Sequence, residues 1–534
     1  MNGMIVAPEP IAVEAGARVL MEGGNAIDAA VVCAFVQGVV NPQMCGVGGY
    51  ALSVIQRPGA AAPELLDSPA LAGALTTPDM WVDRYIGLSP DGWGYFLKGK
   101  LNDAGYQSIC TPGTVRHLAT LLARHGTITW ERAIEPAARV AEQGFTVDTA
   151  LAARWKTRSR YSEACSLLDY ILANAEARRI YLRDGRPYDE AETISNPDYA
   201  RTLRHLARHG AEDFYHGELA ERMSADLAAN QAFVTAADLA EYAAREDAPV
   251  TSTYRGLTLA TSQPPHGGPT LVAILNILEG YDLAAMQHNS PEYIYRVAMA
   301  MKAAFADRNP HLGDPAFGDV PVAWMTSKER AAHWRSQIDA GVPIVVSDTP
   351  TTAPDTTHVS VVDRDGTCVA LTHSLGMSSG VITPGLGFMY NNSMVNFNPL
   401  PGHRNSIAPR KGRTTGMAPT IIYRDGVPAL VVGAPGASRI ITGVLQVILN
   451  VLDFGMSPAE AVLAPRFDCQ GNLIVCQRRI PEYVCERVRE WHPITRIPQS
   501  HGALALVHAI GIDAATGRRS GGADTGSGGM ALEV

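Results

Sequence analysis

The stretch that decides the fold is residues 355–374, which read DTTHVSVVDRDGTCVALTHS. Two runs rich in β-branched residues flank Asp-Arg-Asp-Gly, a sequence typical of a type I turn followed by a left-handed glycine. This loop pairs Asp363 with Thr367, and the same register places Thr356 directly opposite Ser374 at the open end of the hairpin. Because opposed residues have Cβ atoms about 5 Å apart, we expect a hydrogen bond between the two hydroxyl groups. Such pairs are common in sheets, so this one alone indicates no function.

A second segment, residues 432–441, reads VGAPGASRII and predicts a strand that ends in a glycine-rich turn before a helix. Such a turn leaves backbone N–H groups unpaired at the start of the helix, where they suit a developing oxyanion or a phosphate group. For this segment on its own, an ordinary tight turn remains the alternative.

Apolar periodicity predicts a helix-rich first part and a strand-rich second part. We expect helices over residues 26–40, 114–124, 131–144, 199–208, 216–228, 236–244, 270–279, 291–307 and 441–452. We expect strands over residues 358–362, 367–373, 387–390, 420–423 and 429–432. Residues 340–355 are rich in Pro, Thr and Ala and are expected to form an exposed linker. This organisation predicts an α/β fold in which sheets pack between helical layers.

Composition excludes several classes of protein. The 534 residues carry a formal net charge of −9 and no block of basic residues, which argues against a nucleic-acid partner. No window approaches about 18 consecutive apolar residues, so we expect no membrane span. The first residues lack a basic stretch followed by an apolar one, so no signal peptide is visible and a cytoplasmic location is expected.

Cysteine and histidine spacing indicates neither disulfides nor a metal. The eight cysteines are dispersed without a CxxC pair, so we expect free thiols in a reducing compartment. No cluster of His, Cys and acidic residues has the spacing of a metal site, so we expect neither a metal nor another cofactor. Length alone suggests about three or four domains, although one large layered unit can absorb as many residues.

Ordered segments along nearly the whole chain resemble the γ-glutamyltransferase family of N-terminal-nucleophile hydrolases. The hairpin and the glycine-rich turn are two of them, and buried helices or tight turns would not account for the full set together. The segments are EAGARVLMEGGNAIDAAV (14–31), NPQMCGVGG (41–49), TPGTV (111–115), QPPHGG (263–268), MKAAFADRNPHLGDP (301–315), DTTHVSVVDRDG (355–366), NNSM (391–394), MAPT (417–420), GAPGASRI (433–440) and APRF (464–467).

The resemblance implies a four-layer αββα sandwich and a self-cleavage between Asp355 and Thr356. Two chains would result, a helix-rich large subunit (1–355) and a small subunit (356–534), which stay paired in one integrated fold. The residue type suits this chemistry, because a hydroxyl beside a peptide bond can attack the preceding carbonyl and shift the acyl group from N to O. The released α-amino group, with a pKa of about 7.7–8.0, can then act as the base for its own hydroxyl. His358 is therefore expected to be structural.

The same resemblance implies the catalytic residues. Thr356 is expected to be the nucleophile that attacks a substrate amide and forms an acyl-enzyme. Ser374 matches a position at which the family normally has threonine, and it should orient the Thr356 hydroxyl. Gly436 and Ala437 match the paired glycines of the oxyanion hole. Because backbone N–H groups bind the oxyanion, alanine is acceptable at the second of these positions.

The positions that bind the γ-glutamyl headgroup in typical members are mostly altered. The arginine that binds the α-carboxylate corresponds to Pro78, and the aspartate that pairs with the α-ammonium corresponds to Asn396. The asparagine beside that aspartate corresponds to Gly376, and the Ser-Ser pair corresponds to Thr415 and Gly416. Each charged hydrogen bond lost would cost about 1.5–3 kcal/mol of binding. We therefore expect intact amide-cleaving residues with a shifted acyl specificity.

The neighbouring substrate-binding segment also differs. Asn391 is expected to contact substrate or, with Asn392, to brace the site. The connection from Asn396 to Thr415 is shorter than in typical members, so the lid over the acyl pocket is expected to be trimmed. Its cations could bind an anionic substrate, although a solvated basic loop is the alternative. They are His403, Arg404, Arg410, Lys411 and Arg413.

Three functions remain open at this point. The first is a self-processing amidohydrolase or acyltransferase with shifted specificity, as in cephalosporin acylase-like, polyglutamate-processing and oxamate-hydrolysing relatives. The second is an ordinary γ-glutamyltransferase or glutathione hydrolase. The third is a binding protein that has kept the fold without catalysis. The expected partners are a small amide substrate and the two self-derived subunits, with a larger homo-oligomer left open.

Overall fold

Strands from both sides of position 356 build two antiparallel sheets in this computed structural model, which describes residues 2–89, 94–159, 161–347 and 356–534. The strands are β1 (Gly3–Ala7), β2 (Tyr50–Gln56), β3 (Glu64–Ser68), β4 (Tyr85–Leu88), β5 (Tyr95–Leu97), β6 (Phe145–Thr146), β7 (Leu182–Arg183), β8 (Arg186–Pro187), β9 (Thr193–Ile194), β10 (Arg245–Asp247), β11 (Val250–Tyr254), β12 (Leu257–Thr261), β13 (Thr357–Asp363), β14 (Cys368–Ser374), β15 (Thr420–Arg424), β16 (Val427–Gly433), β17 (Phe467–Asp468), β18 (Ile474–Cys476), β19 (Ile494–Arg496), β20 (His508–Ile512), β21 (Arg519–Ala523) and β22 (Met530–Glu533). Within those ranges the first sheet has the order β10-β3-β2-β14-β13-β1-β22, and the second has the order β11-β12-β15-β16-β20-β21.

Helices cover the outer face of each sheet. They are α1 (Pro10–Met21), α2 (Ala26–Val40), α3 (Thr114–His125), α4 (Trp130–Gln143), α5 (Thr149–Lys156), α6 (Leu167–Ala173), α7 (Ala175–Tyr181), α8 (Pro197–His209), α9 (Asp213–His216), α10 (Glu218–Ala229), α11 (Ala236–Ala240), α12 (Gly268–Leu278), α13 (Pro291–His311), α14 (Val322–Met325), α15 (Lys328–Asp339), α16 (Arg439–Leu452), α17 (Pro458–Leu463) and α18 (Glu482–Arg489). Helices α1, α2 and α3 pack on the first sheet, α12 and α16 pack on the second, and β13 and β14 contact β16 and β20 between the sheets. The architecture is therefore the expected four-layer αββα sandwich.

The hairpin at the centre of the first sheet has the predicted register. Thr357 is paired with His373 and Val362 with Cys368. The loop is held by the Asp363 carboxylate, which accepts hydrogen bonds from the amides of Asp365 (3.0 Å) and Thr367 (2.9 Å). Register is determined here by the turn, because a one-residue slip would move every side chain to the opposite face of the sheet.

The predicted strand over residues 387–390 is wrong. Gly385 and Gly387 each have φ of +76°, which interrupts an extended chain, and Tyr390 makes only an isolated bridge to Gly48. The predicted helix over residues 236–244 ends at Ala240. Most of the predicted helix bounds agree within a few residues, and α13 continues to His311.

The expectation of a helix-rich first part overlooked its strands. Strands β1, β2, β3 and β10 join the first sheet, and β11 and β12 join the second. Strand β2 is buried along almost its whole length, so its sequence, YALSVIQ, lacks the alternation of a strand with one solvent-facing side. Residues of the predicted linker follow α15, and residues 348–355, including Asp355, lie outside the described residues.

All eight cysteines are free thiols, as expected. Within the described ranges, no helix has both the length and the apolar character needed to cross a membrane. The same part of the chain contains no group of three or more His, Cys, Asp or Glu side chains arranged to hold a metal ion.

Candidate active site

The candidate nucleophile lies at the open end of the central hairpin. Thr356 immediately precedes β13, and Ser374 is the last residue of β14. The Thr356 hydroxyl donates a hydrogen bond of 3.2 Å to the Ser374 hydroxyl, and both side chains are buried. The Ser374 Oγ also accepts a hydrogen bond of 2.8 Å from the amide of Gly376. The hairpin and the following loop therefore hold the two hydroxyl groups together, as the register predicts.

A third residue extends this row across the sheet. Ser374 pairs with Tyr50 of β2, on the side opposite to Thr356. Directly opposed residues in adjacent strands point to the same face. Thr356, Ser374 and Tyr50 consequently form a row at one end of the first sheet, and Thr356 and Tyr50 line a common cavity. Sequence patterns did not point to Tyr50, because its register depends on a strand that was not predicted.

The candidate oxyanion hole comes from the second sheet. Strand β16 ends at Gly433, and the turn to α16 has φ of +138° at Gly436 and +57° at Ala437. The amides of Gly436 and Ala437 donate no hydrogen bond to any described residue. Ala437 lines the cavity together with Thr356, and the positive end of the α16 dipole lies nearby. This arrangement suits the stabilisation of a developing negative charge.

Gly436 is not itself among the described residues that line the cavity. A Cβ on Gly436 would lie 2.7 Å from the Cα of Ala505, so the turn accepts only glycine there. At Ala437 the left-handed conformation is unfavourable for a residue with a side chain, by roughly 1–2 kcal/mol. Backbone strain of this kind often accompanies functional turns.

The cavity gathers most of the residues predicted to bind substrate. It contains Gly376, Asn396, Thr415 and Gly416. The other described lining residues are Tyr50, Thr356, Met377, Asn392, Val395, Arg413, Met417, Ala437 and Ile440. None of these lining residues is a carboxylate, so an ammonium group in the cavity would meet no anionic side chain among them.

Asn391, which was expected to contact substrate or to brace the site, is not among the described residues that line the cavity. Its side-chain amide donates to the carbonyl oxygens of Gly48 (2.9 Å) and Cys110 (2.8 Å), and its oxygen accepts from the Cys110 amide (3.1 Å). All of these bonds are to buried backbone groups, so Asn391 braces the cavity wall from behind. Asn392 does line the cavity, and its oxygen accepts from the amide of Met377 at 2.9 Å.

Asn396 has a buried side-chain nitrogen without a hydrogen-bond partner among the described residues. The side chain is 5% exposed and lines the cavity. Because a buried donor without a partner costs free energy, this amide is suited to bind a substrate oxygen. An uncharged amide replaces the carboxylate that the family normally has there.

A buried polar chain that sequence reasoning missed leads to Thr415. The Nδ1 atom of His266 lies 2.7 Å from the Thr415 hydroxyl, and its Nε2 atom lies 3.0 Å from a carboxylate oxygen of Asp67. The Thr415 Oγ also accepts a hydrogen bond from the amide of Met417 (3.1 Å). Sequence reasoning could have noticed His266 within QPPHGG, but nothing in the sequence linked it to Asp67 or Thr415.

The cations of the 396–415 connection differ in their surroundings. Arg410 is exposed and pairs with Asp238 and Glu241, and Lys411 donates to two backbone carbonyl groups. His403 and Arg404 are not among the described lining residues. Arg413 is 5% exposed and lines the cavity. The predicted basic loop is thus mostly a structural segment with one arginine in the site, and Pro78 is exposed and outside it.

Histidines near the nucleophile are neutral and structural. His358 bonds to the hydroxyls of Thr372 (2.8 Å) and Ser360 (2.9 Å), and burial holds its pKa well below the usual value. His373 lies 2.9 Å from the Gln37 side-chain oxygen, and burial lowers its pKa to about 3. Among the described contacts, no hydrogen bond joins either histidine to Thr356.

Comparisons with known proteins and solved structures find several that are similar to this chain. A family model described as Gamma-glutamyltranspeptidase matches residues 12–534. The glutathione hydrolase proenzyme of Pseudomonas sp. (strain A14) is 34% identical over 487 residues, which are 88% of this chain and 82% of the relative. The acylase ACY 1 proenzyme of Pseudomonas sp. (strain V22) is 34% identical over 524 residues, 95% of this chain and 89% of the relative. Among solved structures, cephalosporin acylase from Bacillus halodurans superposes with a TM-score of 0.87 at 26% identity. The superposition covers 99% of this chain and 95% of the acylase chain.

Proposed function

Since this chain belongs to the gamma-glutamyltranspeptidase family of N-terminal-nucleophile enzymes, we propose that it is a self-processing amidohydrolase or acyltransferase whose nucleophile is Thr356. Family membership accounts for amide hydrolysis or acyl transfer. The processing of this particular chain, its nucleophile and its acyl group make up the proposal. Two relatives are named proenzymes, which supports cleavage of this chain into residues 1–355 and 356–534 that remain paired.

The observation that carries the proposal is the Thr356–Ser374 hydroxyl pair in a cavity that also contains the unpaired Ala437 amide. In processing, the Thr356 hydroxyl would attack the carbonyl of Asp355, forming an ester while the C–N bond breaks and the amine takes the proton. Water would then hydrolyse the ester and leave Thr356 with a free α-amino group. That group is the expected base for the same hydroxyl during turnover.

In turnover, the Thr356 Oγ would attack the substrate carbonyl, and its proton would pass through the α-amino group to the leaving amine. The amides of Gly436 and Ala437 would donate to the oxyanion of the tetrahedral intermediate. The product of this first half is an ester between Thr356 and the acyl group. Water then releases a carboxylic acid, or an amine accepts the acyl group to form a new amide.

We further propose that the acyl specificity differs from plain γ-glutamyl. The cavity lining contains Asn396 where an aspartate would pair with an α-ammonium group, and Pro78 is exposed and away from the site. A glutamyl headgroup would therefore bring a cation that meets no carboxylate among the described lining residues. An acyl group without the ammonium suits this lining better. Ordinary glutathione hydrolysis is the second candidate, because one relative at 34% identity has that name.

Gel electrophoresis of the purified protein tests the processing. We expect two bands whose masses add up to 57.0 kDa, and N-terminal sequencing of the smaller chain should begin at Thr356. Thr356→Ala should give a single full-length band without activity. A wild-type protein that stays at full length would instead favour a binding protein that has kept the fold.

A substrate comparison tests the acyl specificity. The purified, processed enzyme would be assayed with glutathione and with amides of other acids. Robust glutamate release from glutathione would contradict the shifted specificity and support the second candidate. The cytoplasmic location is also part of the proposal, and fractionation of cells that make the native protein would test it.

A further inference from the structure

Arg413 presents a buried guanidinium group in the wall of the nucleophile cavity. It donates to the hydroxyl of Tyr50 and, at 3.1 Å, to the carbonyl oxygen of Thr414. Its Cζ atom lies 4.9 Å from the centre of the Tyr50 ring, so the two side chains also stack. Five N–H donors are available on a guanidinium, and the Nε–H of Arg413 has no partner among the described residues.

No described carboxylate lies within ion-pairing distance of Arg413. The acidic group associated with this segment is Asp67, which lies 3.0 Å from His266 rather than beside the guanidinium. A buried cation without an opposite charge is costly, because it has lost its water without gaining a partner. Arg410, three residues earlier, is exposed and has two carboxylate partners. The buried Arg413, which lines the cavity, has no such partner among the described residues.

A second buried arginine adds to the positive charge at the same segment. Arg308 is 5% exposed and donates to the carbonyl oxygen of Thr415 at 3.3 Å. It too has no carboxylate partner among the described residues, and burial lowers its pKa to about 10. The segment 413–415 is thus flanked by two guanidinium groups, while the described cavity lining contributes no negative charge.

We propose that Arg413 binds a carboxylate at the far end of the acyl group, so that the preferred substrates are amides of dicarboxylic acids that carry no α-ammonium group. This inference rests on the proposed function, since the acyl group is the part that Thr356 attacks. Tyr50 holds the guanidinium two strands away from Thr356, a distance of roughly 10 Å between Cα atoms. A short dicarboxylate chain in the cavity that Thr356 and Arg413 both line would join the two, with the planar fork of Arg413 matching the carboxylate.

Three p-nitroanilides that share one chain length separate the possibilities. Glutaryl-p-nitroanilide carries the terminal carboxylate, pentanoyl-p-nitroanilide has a methyl group instead, and γ-glutamyl-p-nitroanilide adds the α-ammonium. For the processed wild-type enzyme, we expect kcat/KM to be highest for the glutaryl compound, by roughly 10- to 150-fold over the pentanoyl compound. Malonyl, succinyl and adipyl homologues then measure the reach from Thr356 to Arg413.

Two substitutions assign this preference to Arg413. Arg413→Met should lower the ratio of kcat/KM for the glutaryl compound to kcat/KM for the pentanoyl compound by roughly 10- to 150-fold. Arg413→Lys keeps the charge without the fork and should give an intermediate loss. Arg410→Met is the matched control, because that arginine is exposed and outside the cavity, and it should retain the wild-type preference.

The outcomes distinguish the role of Arg413 from the proposed amide hydrolysis by Thr356. Equal rates for the glutaryl and pentanoyl compounds, or a glutaryl preference that survives in Arg413→Met, would overturn the role of Arg413 and leave amide hydrolysis by Thr356 intact. Failure of the wild-type protein to process, or to cleave any of the three compounds, would contradict the proposed function itself. The comparison of the three compounds with the wild-type enzyme tests the preference for a terminal carboxylate even if Arg413→Met does not process, because it requires no variant.

Discussion

A Cβ atom on Gly416 would lie 2.0 Å from the carbonyl oxygen of Ala437, so the acyl-binding segment and the oxyanion turn touch at this point through backbone alone. The contact explains why this chain has a glycine at position 416. Gly416 and Ala437, from the candidate substrate-binding segment and the candidate oxyanion turn, also line the same cavity. A change at Gly416 should therefore affect the reaction at Thr356.

Gly416→Ala is expected to push the Ala437 carbonyl away and rotate the adjacent amide out of line with the oxyanion. Loss of one oxyanion donor typically costs about 10²–10³-fold in kcat, so we expect a fall of that order. The measurement is kcat of the processed enzyme, with the processed fraction determined on the same sample. Gly471→Ala is the control, since a Cβ there meets no atom within 4 Å. A Gly416→Ala enzyme with normal kcat would show that the turn tolerates the movement.

Ser374→Ala removes the group that accepts the hydrogen bond from the Thr356 hydroxyl. We expect kcat to fall by about 10²-fold or more, because a nucleophile that lacks this hydrogen bond loses much of its productive orientation. Ser374→Thr keeps a hydroxyl at the same position and should retain most of the activity. If both variants behaved alike, the Ser374 hydroxyl would have no role in orienting Thr356.

Thr415→Val tests the polar chain that runs from Asp67 through His266 to the cavity. The valine has nearly the same shape but leaves the His266 ring nitrogen without its partner, which should cost about 1–3 kcal/mol of stability. We expect a higher KM as well, because Thr415 lines the cavity. Chemical denaturation and steady-state kinetics measure the two effects. Thr415→Ser keeps the hydroxyl and should have nearly the stability and KM of the wild type. If it does not, the hydroxyl is not the group responsible for these effects.

The free energy of unfolding should fall as the pH decreases from 7 to 5. Burial lowers the pKa of His373 and His117 to about 3 and that of His508 to about 4. In the unfolded chain these groups take up protons near pH 6.5, so the unfolded state binds more protons and stability rises with pH in this window. The loss between pH 6.5 and 5 is about 2 kcal/mol for each such histidine.

A variant isolates one of these histidines. Both ring nitrogens of His508 lack a hydrogen-bond partner among the described residues, so His508→Leu removes no bond within that part of the structure. Urea denaturation at pH 7 and pH 5 should show a smaller loss for the variant than for the wild type. Identical losses would mean that His508 does not titrate during unfolding. Some groups change stability with pH in the opposite direction, such as Glu9, whose carboxyl pKa is raised by burial. Their contribution is the same in the variant and the wild type, so it cancels when the two losses are compared.

The oxyanion turn and the substrate segment show how far sequence reasoning reached. The glycine-rich turn at 433–440 and the start of α16 were predictable, because a strand, a turn and a helix follow one another along the chain. Asn391 was expected either to contact substrate or to brace the site, and its bonds to the backbone of Gly48 and Cys110 favour bracing. A motif identifies a position, but the direction of its side chain depends on neighbours that are distant in sequence.

The sequence by itself determined the hairpin and, with it, the meeting of Thr356 and Ser374. The reason is local: a tight turn sets the register, and hydrogen bonding of period two carries that register to the end of the strands. Only the tertiary structure decided that Tyr50 continues the row and that Arg413, rather than the other cations of its loop, faces the cavity. Those contacts join residues hundreds of positions apart, and burial selects among similar charges according to which one the packing encloses.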